Sequence, residues 1–225
     1  MNTDPATKAT RILIVEDHPL FRTMLVQLVE EELGMTVCGE ADNVSDALLC
    51  IEQSPPDAAI VDLTLRSANG LELLKNLQAR KLQFPVLVLW MHPERLYAER
   101  VLRAGARGYV TKEESPSEVV TAIRTVLAGR IYVSARVNDS LLERLGPAGG
   151  ATIRAEASLL SDRELEVFQW VGRGLNSREI ASRTGLGMTT VDSYRARIKE
   201  KLGIKNAVEL YQRAAQWAAE NTGNG

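Results

Sequence analysis

Short runs of Val, Ile and Leu alternate with helix-length amphipathic stretches as far as Ile131. The runs are Ile12–Val15, Thr36–Cys38, Ala58–Val61, Val86–Leu89 and Gly108–Val110. Between them lie Leu20–Leu33, Val44–Gln53, Leu71–Arg80, Leu96–Ala104 and Glu118–Leu127, with apolar residues at helical spacing. Five strands alternating with five helices predict a doubly wound parallel sheet covered by helices on both faces. Strands buried on both faces should read as unbroken apolar runs, and these do. After Ile131 the pattern changes. Leu141, Leu142 and Leu145 predict one short helix, and Gly146-Pro147-Ala148-Gly149-Gly150 with the small residues up to Ser158 reads as a flexible tether. From Leu159 onward only helical periodicity remains. The expected organisation is α/β plus all-α: a five-stranded domain over residues 9–130, a linker with a short helix over 131–157, and a four-helix domain over 158–221.

A chain of 225 residues accommodates two ordinary domains, and 45% hydrophobic with 25% charged residues is typical of soluble globular proteins. No apolar run approaches the ~20 residues needed to span a bilayer. Met1 to Thr10 lacks the apolar centre of a signal peptide, so no membrane association and a cytoplasmic location are expected. Cys38 and Cys50 fall in apolar surroundings outside any CxxC or Cys/His cluster and read as small hydrophobes. The net charge of −2 divides unevenly. Leu159 to Gly225 carries ten Lys/Arg against eight Asp/Glu, and the rest of the chain is acidic. Thr189 to Lys205 alone holds five basic residues against two acidic ones, a balance compatible with phosphate contacts and also with an ordinary solvated helix.

In a doubly wound sheet, ligands bind outside the carboxyl ends of the strands. Glu16 and Asp17 follow the first strand, Asp62 the third, and Thr111-Lys112 the fifth. Three carboxylates and an amine on one sheet edge form a site for a hard cation such as Mg²⁺, which takes carboxylate and water oxygens and bridges to phosphate. Any single acidic residue here also suits a helix N-terminus; their joint placement with the lysine favours the pocket. His18 and His92 have no ligand partner at a sensible spacing.

Ile12-Leu13-Ile14-Val15-Glu16-Asp17-His18-Pro19, Val61-Asp62-Leu63 and Gly108-Tyr109-Val110-Thr111-Lys112 resemble the receiver domain of two-component response regulators. The resemblance implies a flavodoxin-like fold in which Asp62 accepts a phosphoryl group from the phosphohistidine of a sensor kinase. It also implies that Glu16, Asp17 and Asp62 bind Mg²⁺, that Lys112 contacts the phosphoryl oxygens, and that Tyr109 is the switching aromatic. One position departs from the pattern: Trp90 stands where receivers place Ser or Thr. That hydroxyl bonds a phosphoryl oxygen in the family, whereas tryptophan offers only an indole N–H. A charge-assisted hydrogen bond is worth ~1.5–3 kcal/mol, comparable with the whole of such a switch. Three readings follow: phosphorylation with the signal passed weakly or by another route, regulation without phosphate, or substitution of the hydroxyl by the indole N–H. Arg66, where many receivers have proline, is a lesser departure.

In the second domain, Ser161 and Glu164 form a capping box ahead of Leu165, Val167, Phe168 and Val171. Asn176-Ser177 caps a short helix, Gly185-Leu186-Gly187 turns the chain, and Thr189-Thr190 is expected to cap a third helix reaching about Leu202. Two helices joined by a short glycine-containing turn predict a helix-turn-helix. Val191, Tyr194, Ile198 and Leu202 form its buried stripe. The segments Leu160-Ser161-Asp162-Arg163-Glu164-Leu165, Thr190-Val191-Asp192-Ser193-Tyr194-Arg195-Ala196-Arg197-Ile198 and Lys201-Leu202-Gly203 resemble the LuxR-type output domain of NarL/FixJ regulators. This implies groove-facing positions at Asp192, Ser193 and Ala196, and phosphate or base contacts from Thr189, Thr190, Arg195, Arg197 and Lys199. Asp192 suits either cytosine N4 or repulsion of phosphate, and the arginines suit positioning. The resemblance further implies a transcription factor rather than an enzyme, with promoter duplex DNA and a sensor histidine kinase as partners and a homodimer on DNA through the last helix. In the inactive state the acidic receiver is expected to block the recognition helix. The alternative is an atypical regulator that binds DNA independently of phosphorylation because of Trp90.

Overall fold

The computed structural model describes residues 9–65, 69–91, 95–135, 138 and 159–221. The short helix expected at Leu141 to Leu145, the glycine-rich tether, Arg66 and His92 lie outside the described residues. Six parallel strands form one sheet: β1 (Arg11–Val15), β2 (Thr36–Ala41), β3 (Ala58–Asp62), β4 (Val86–Trp90), β5 (Gly108–Thr111) and β6 (Tyr132–Val133), in the order β2-β1-β3-β4-β5-β6. The five predicted strands are present. The sixth was not predicted because two residues are too few to show a period; it extends the edge through pairs Gly108↔Tyr132 and Tyr109↔Val133.

Helices α1 (Pro19–Gln27), α2 (Val44–Gln53), α3 (Gly70–Ala79), α4 (Arg95–Arg103) and α5 (Pro116–Leu127) connect the strands. Successive side chains of a strand point to opposite faces. Leu13, Val15, Val86, Val88, Trp90 and Tyr109 accordingly join the core on one face, and Ile12, Ile14, Leu87, Leu89 and Val110 join the core on the other. Helix α1 continues as a wider π-helical turn over Leu28–Glu32. A register shift between Ile12 and Leu13 leaves Cys38 as the extra residue of a bulge on β2. Both cysteines are free thiols.

The C-terminal part contains α6 (Asp162–Gly172), α7 (Ser177–Thr184), α8 (Met188–Lys201) and α9 (Ala207–Asn221). Ser161 with Glu164, and Asn176 with Glu179, form the capping boxes that start α6 and α7. Gly185 ends α7 in the left-handed region at φ +66, a conformation that glycine adopts without steric cost. The expectation for α8 needs correction: Gly187 is its N-cap, no side chain caps it, and Thr189 and Thr190 lie inside the first turn. Gly172 lets α9 approach α6, since a Cβ there would lie 2.3 Å from the Ala214 carbonyl oxygen.

Candidate functional site

The parallel order β1-β3-β4-β5 brings the carboxyl ends of these strands to one edge, where Glu16, Asp17, Asp62 and Lys112 gather. Lys112 Nζ lies 2.7 Å from Glu16 Oε2 and 2.9 Å from Asp62 Oδ2. The other Glu16 oxygen accepts from the His18 backbone N–H at 3.0 Å, so Glu16 is fixed at both ends. Phe21 places its ring 4.5 Å from the Lys112 ammonium. One ligand oxygen from each of Glu16, Asp17 and Asp62 lies within 4.8 Å of the others. Asp62 is only 3% exposed, and its Oδ1 is buried without a hydrogen-bond partner among the described residues.

Burial pushes the Asp62 carboxyl up to about 7; Lys112 pulls it down, and Glu16 adds repulsion that pushes it up again. Lys112 moves the opposite way in charge. Burial disfavours its ammonium, but the two carboxylates outweigh burial and raise it. The lysine is therefore charged, while Asp62 sits near its midpoint at neutral pH until a cation offsets the crowding of negative charge. A carboxylate with one unoccupied oxygen, a fixed ammonium and hard oxygen donors is suited to phosphoryl transfer by positioning and charge neutralisation. These donors fit Mg²⁺.

Two further residues support the pocket. Gly70 opens α3 against the Asp62 backbone, where a Cβ would fall 2.2 Å from the Asp62 carbonyl oxygen. Asn69 caps α3 by accepting from the Leu71 N–H, and it bridges to Thr64 across the intervening loop. Neither was foreseen, because a lone glycine or asparagine before a helix reads as routine capping.

Trp90 closes β4 at 1% exposure and points into the core rather than away from it. Its ring centroid is 5.2 Å from that of Tyr97 on α4, with the planes tilted by 38°. Tyr109 is fully buried on the same face.

In the helical half, Val191, Ile198 and Leu202 are buried as expected, and Tyr194 is half-buried. Thr189, Thr190, Asp192, Ser193, Ala196 and Arg197 are exposed, whereas Arg195 and Lys199 are half-buried. Asp192 has a partner the sequence did not indicate: the Ser177 hydroxyl donates to Asp192 Oδ1 at 2.6 Å and accepts from Arg195 Nη1 at 3.3 Å.

Comparison with known proteins places this geometry. The profile for the response regulator receiver domain matches residues 12–124, and that for the LuxR family of bacterial regulatory proteins matches residues 158–214. The chain is 34% identical over 200 residues to the transcription regulator BvgA of Bordetella pertussis, covering 89% of this chain and 94% of BvgA. It is 31% identical over 200 residues to the response regulator UvrY of Escherichia coli, covering 88% and 90%. A crystal structure of a LuxR-family response regulator from Aurantimonas sp. shares 33% identity at a TM-score of 0.58, covering 61% of this chain and 98% of that one. The chain belongs to the LuxR-type response regulators. It is a transcription factor that joins a receiver to a LuxR-type DNA-binding domain. Among the described residues no helix is long and apolar enough to cross a membrane.

The two domains of this response regulator meet through α6. Asp162 pairs with Lys75 of α3 and, at 2.7 Å, with Arg100 of α4. Arg100 also donates to the Leu160 carbonyl oxygen at 2.7 Å. One turn along α6, Glu166 is buried against Arg163 at 2.8 Å and beside the receiver's Asn69. Both side-chain polar atoms of Gln169 remain buried without hydrogen-bond partners among the described residues. Helix α6 is thus buried from Glu164 to Val171, on its polar face as well as its apolar one. The receiver docks on α6, and Thr189, Thr190, Asp192, Ser193, Ala196 and Arg197 of α8 are exposed.

Proposed function

We propose that Asp62 is the phosphoacceptor of this regulator and that its phosphorylation by a sensor histidine kinase controls binding of the helix-turn-helix to promoter duplex DNA. The carrying observation is the Asp62 carboxylate itself, buried, with Oδ1 unpartnered among the described residues and Oδ2 held 2.9 Å from Lys112. Oδ1 attacks the phosphorus of a phosphohistidine as the P–N bond breaks and the electron pair leaves with the imidazole, giving an acyl phosphate. Lys112 neutralises charge on the transferred group. Glu16, Asp17 and Asp62 would hold Mg²⁺, which supplies further neutralisation of phosphoryl oxygens when bound. The acyl phosphate turns over within the chain, so the protein acts as a switch rather than a standalone enzyme.

On the DNA side, Thr189, Thr190, Arg195, Arg197 and Lys199 contact phosphates or bases, and Asp192, Ser193 and Ala196 face the groove as α8 enters it. Exposed Val208 and Tyr211 on α9 suit a homodimer on DNA. The cytoplasm, where kinase domain and promoter meet, is the location this reading requires. Intact mass after incubation with acetyl phosphate and Mg²⁺ tests it. A phosphoryl adduct is expected on the wild-type chain and not on Asp62→Ala; an adduct that persists in the variant places the acceptor elsewhere.

A further inference from the structure

Trp90 removes the hydroxyl by which receivers sense the phosphoryl group, yet the pocket around Asp62 keeps its carboxylates and its lysine. A continuous set of contacts runs from that pocket to the DNA-binding domain, and Trp90 lies in the middle of it. Lys112 Nζ is 2.9 Å from Asp62 Oδ2. The backbone N–H of the same lysine donates to the Trp90 carbonyl oxygen at 2.6 Å. The Trp90 ring packs on Tyr97 at 5.2 Å between centroids. Tyr97 is buried on α4, and Arg100, three residues on and so adjacent on the helix surface, holds both Asp162 and the Leu160 carbonyl oxygen.

We propose that Trp90 is a positioning residue that replaces the lost hydroxyl by a steric route: with Tyr97 it sets the position of α4, and Arg100 on α4 latches the output domain through the start of α6. The proposal rests on Asp62 being the phosphoacceptor. A phosphoryl group on Asp62 gives Lys112 a new oxygen to reach. Movement of Lys112 carries the carbonyl end of β4, because the two are joined by a short hydrogen bond. Two large rings in a close-packed core do not absorb such a displacement by compression; they pass it on to α4. Arg100 then loses its alignment with Asp162 and Leu160, and the latch opens.

The latch is built to be reversible. Its ionic contacts sit at the edge of an interface that also buries both side-chain polar atoms of Gln169 without partners among the described residues, and such atoms favour a return to water. Opening does not uncover Thr189, Asp192, Ser193 and Ala196 of α8, which are already exposed. Its effect is to free the output domain to reorient. The test breaks the path at Tyr97 or Arg100 and reads its far end.

Small-angle X-ray scattering and intact mass on the same samples of full-length chain, with and without acetyl phosphate and Mg²⁺, provide that test. The wild type is expected to gain the adduct and to expand. Arg100→Ala is expected to be expanded already without donor. Tyr97→Leu is expected to gain the adduct at the wild-type level but to lose the donor-dependent expansion. A Tyr97→Leu chain that expands as the wild type does, or an Arg100→Ala chain that stays compact, overturns the proposal while leaving Asp62 as phosphoacceptor. Absence of an adduct on the wild type overturns the phosphoacceptor reading and the proposal with it. Should Tyr97→Leu lose its fold by circular dichroism, Arg100→Asp with Asp162→Arg decides: the double variant is expected to restore the compact state that Arg100→Asp alone loses, and failure to restore it removes the latch.

Discussion

The hydroxyl of Ser177 sits between Asp192 Oδ1, 2.6 Å away, and Arg195 Nη1, 3.3 Å away, tying the first turn of α7 to the exposed side of α8. Asp192 is therefore engaged before DNA arrives. Asp192 holds Ser177, and Ser177 in turn accepts from the guanidinium of Arg195. Ser177→Ala is expected to weaken binding to a cognate duplex about fivefold, from loss of ~1 kcal/mol of partly exposed hydrogen bonding. Combined with Arg195→Ala it should add little, because both act through one contact. Fluorescence anisotropy on the single and double variants checks this; fully additive losses would mean that Ser177 and Arg195 work separately.

Mg²⁺ binding should be strongly dependent on pH. The cation needs the Asp62 carboxylate ionised, and burial with Glu16 nearby holds that carboxyl up to about 7. Binding therefore releases a proton below that value. Calorimetric titration is expected to show affinity nearly constant above pH 8 and falling about tenfold per unit below 7. In Asp62→Asn the slope should disappear along with most of the affinity. A pH-independent affinity in the wild type would show that Asp62 is not a ligand.

The strands were readable because burial on both faces leaves no polar position to confuse the period, as in Ala58-Ala59-Ile60-Val61. The pocket was readable because strand ends are fixed once strands are, and Glu16, Asp17, Asp62 and Lys112 are among the polar residues found there. What escaped depended on packing between distant segments. Trp90 announced itself as a departure, but nothing in the sequence pairs it with Tyr97. The capping box of α6 was visible, whereas nothing in the sequence pairs Asp162 or Glu166 on the same helix with the receiver. Only the docked receiver turns that polar stripe into an interface. Thr189 and Thr190 looked like caps because they are good ones, yet Gly187 starts the helix without side-chain help.

Glu166 carries the stability consequence of that interface. Burial raises its carboxyl, and Arg163 and Asn69 offset this only in part. The folded chain thus holds the proton more tightly than the unfolded chain, whose glutamate titrates at ~4.3. The contribution is fully present below ~4.3 and is lost as pH rises through the folded-state value, since there the folded form binds more protons than the unfolded one. Glu166→Gln removes the ionisation and is expected to raise the melting temperature at pH 8 while flattening the decline from pH 5 upward. A variant less stable than the wild type at pH 8 would show instead that the ion pair with Arg163 more than offsets its desolvation.

Gly70 links packing to chemistry most directly. A methyl group there would meet the Asp62 carbonyl oxygen at 2.2 Å and the Leu63 Cα at 3.0 Å, both backbone atoms that cannot rotate away. Gly70→Ala must therefore move either the start of α3 or the end of β3. Overpacking of this kind costs ~1–3 kcal/mol. A displacement of about 1 Å at a reacting group can cost a hundredfold in rate, so adduct formation from acetyl phosphate should slow far more than stability alone predicts. Gly129→Ala supplies the contrast. Gly129 has φ +76 and nothing within 4 Å of an added Cβ, so the substitution costs backbone strain of ~1 kcal/mol without touching the pocket. If both variants lose stability but only Gly70→Ala slows phosphorylation, the glycine at the head of α3 keeps Asp62 in place; equal rates in the two would reduce it to a packing residue.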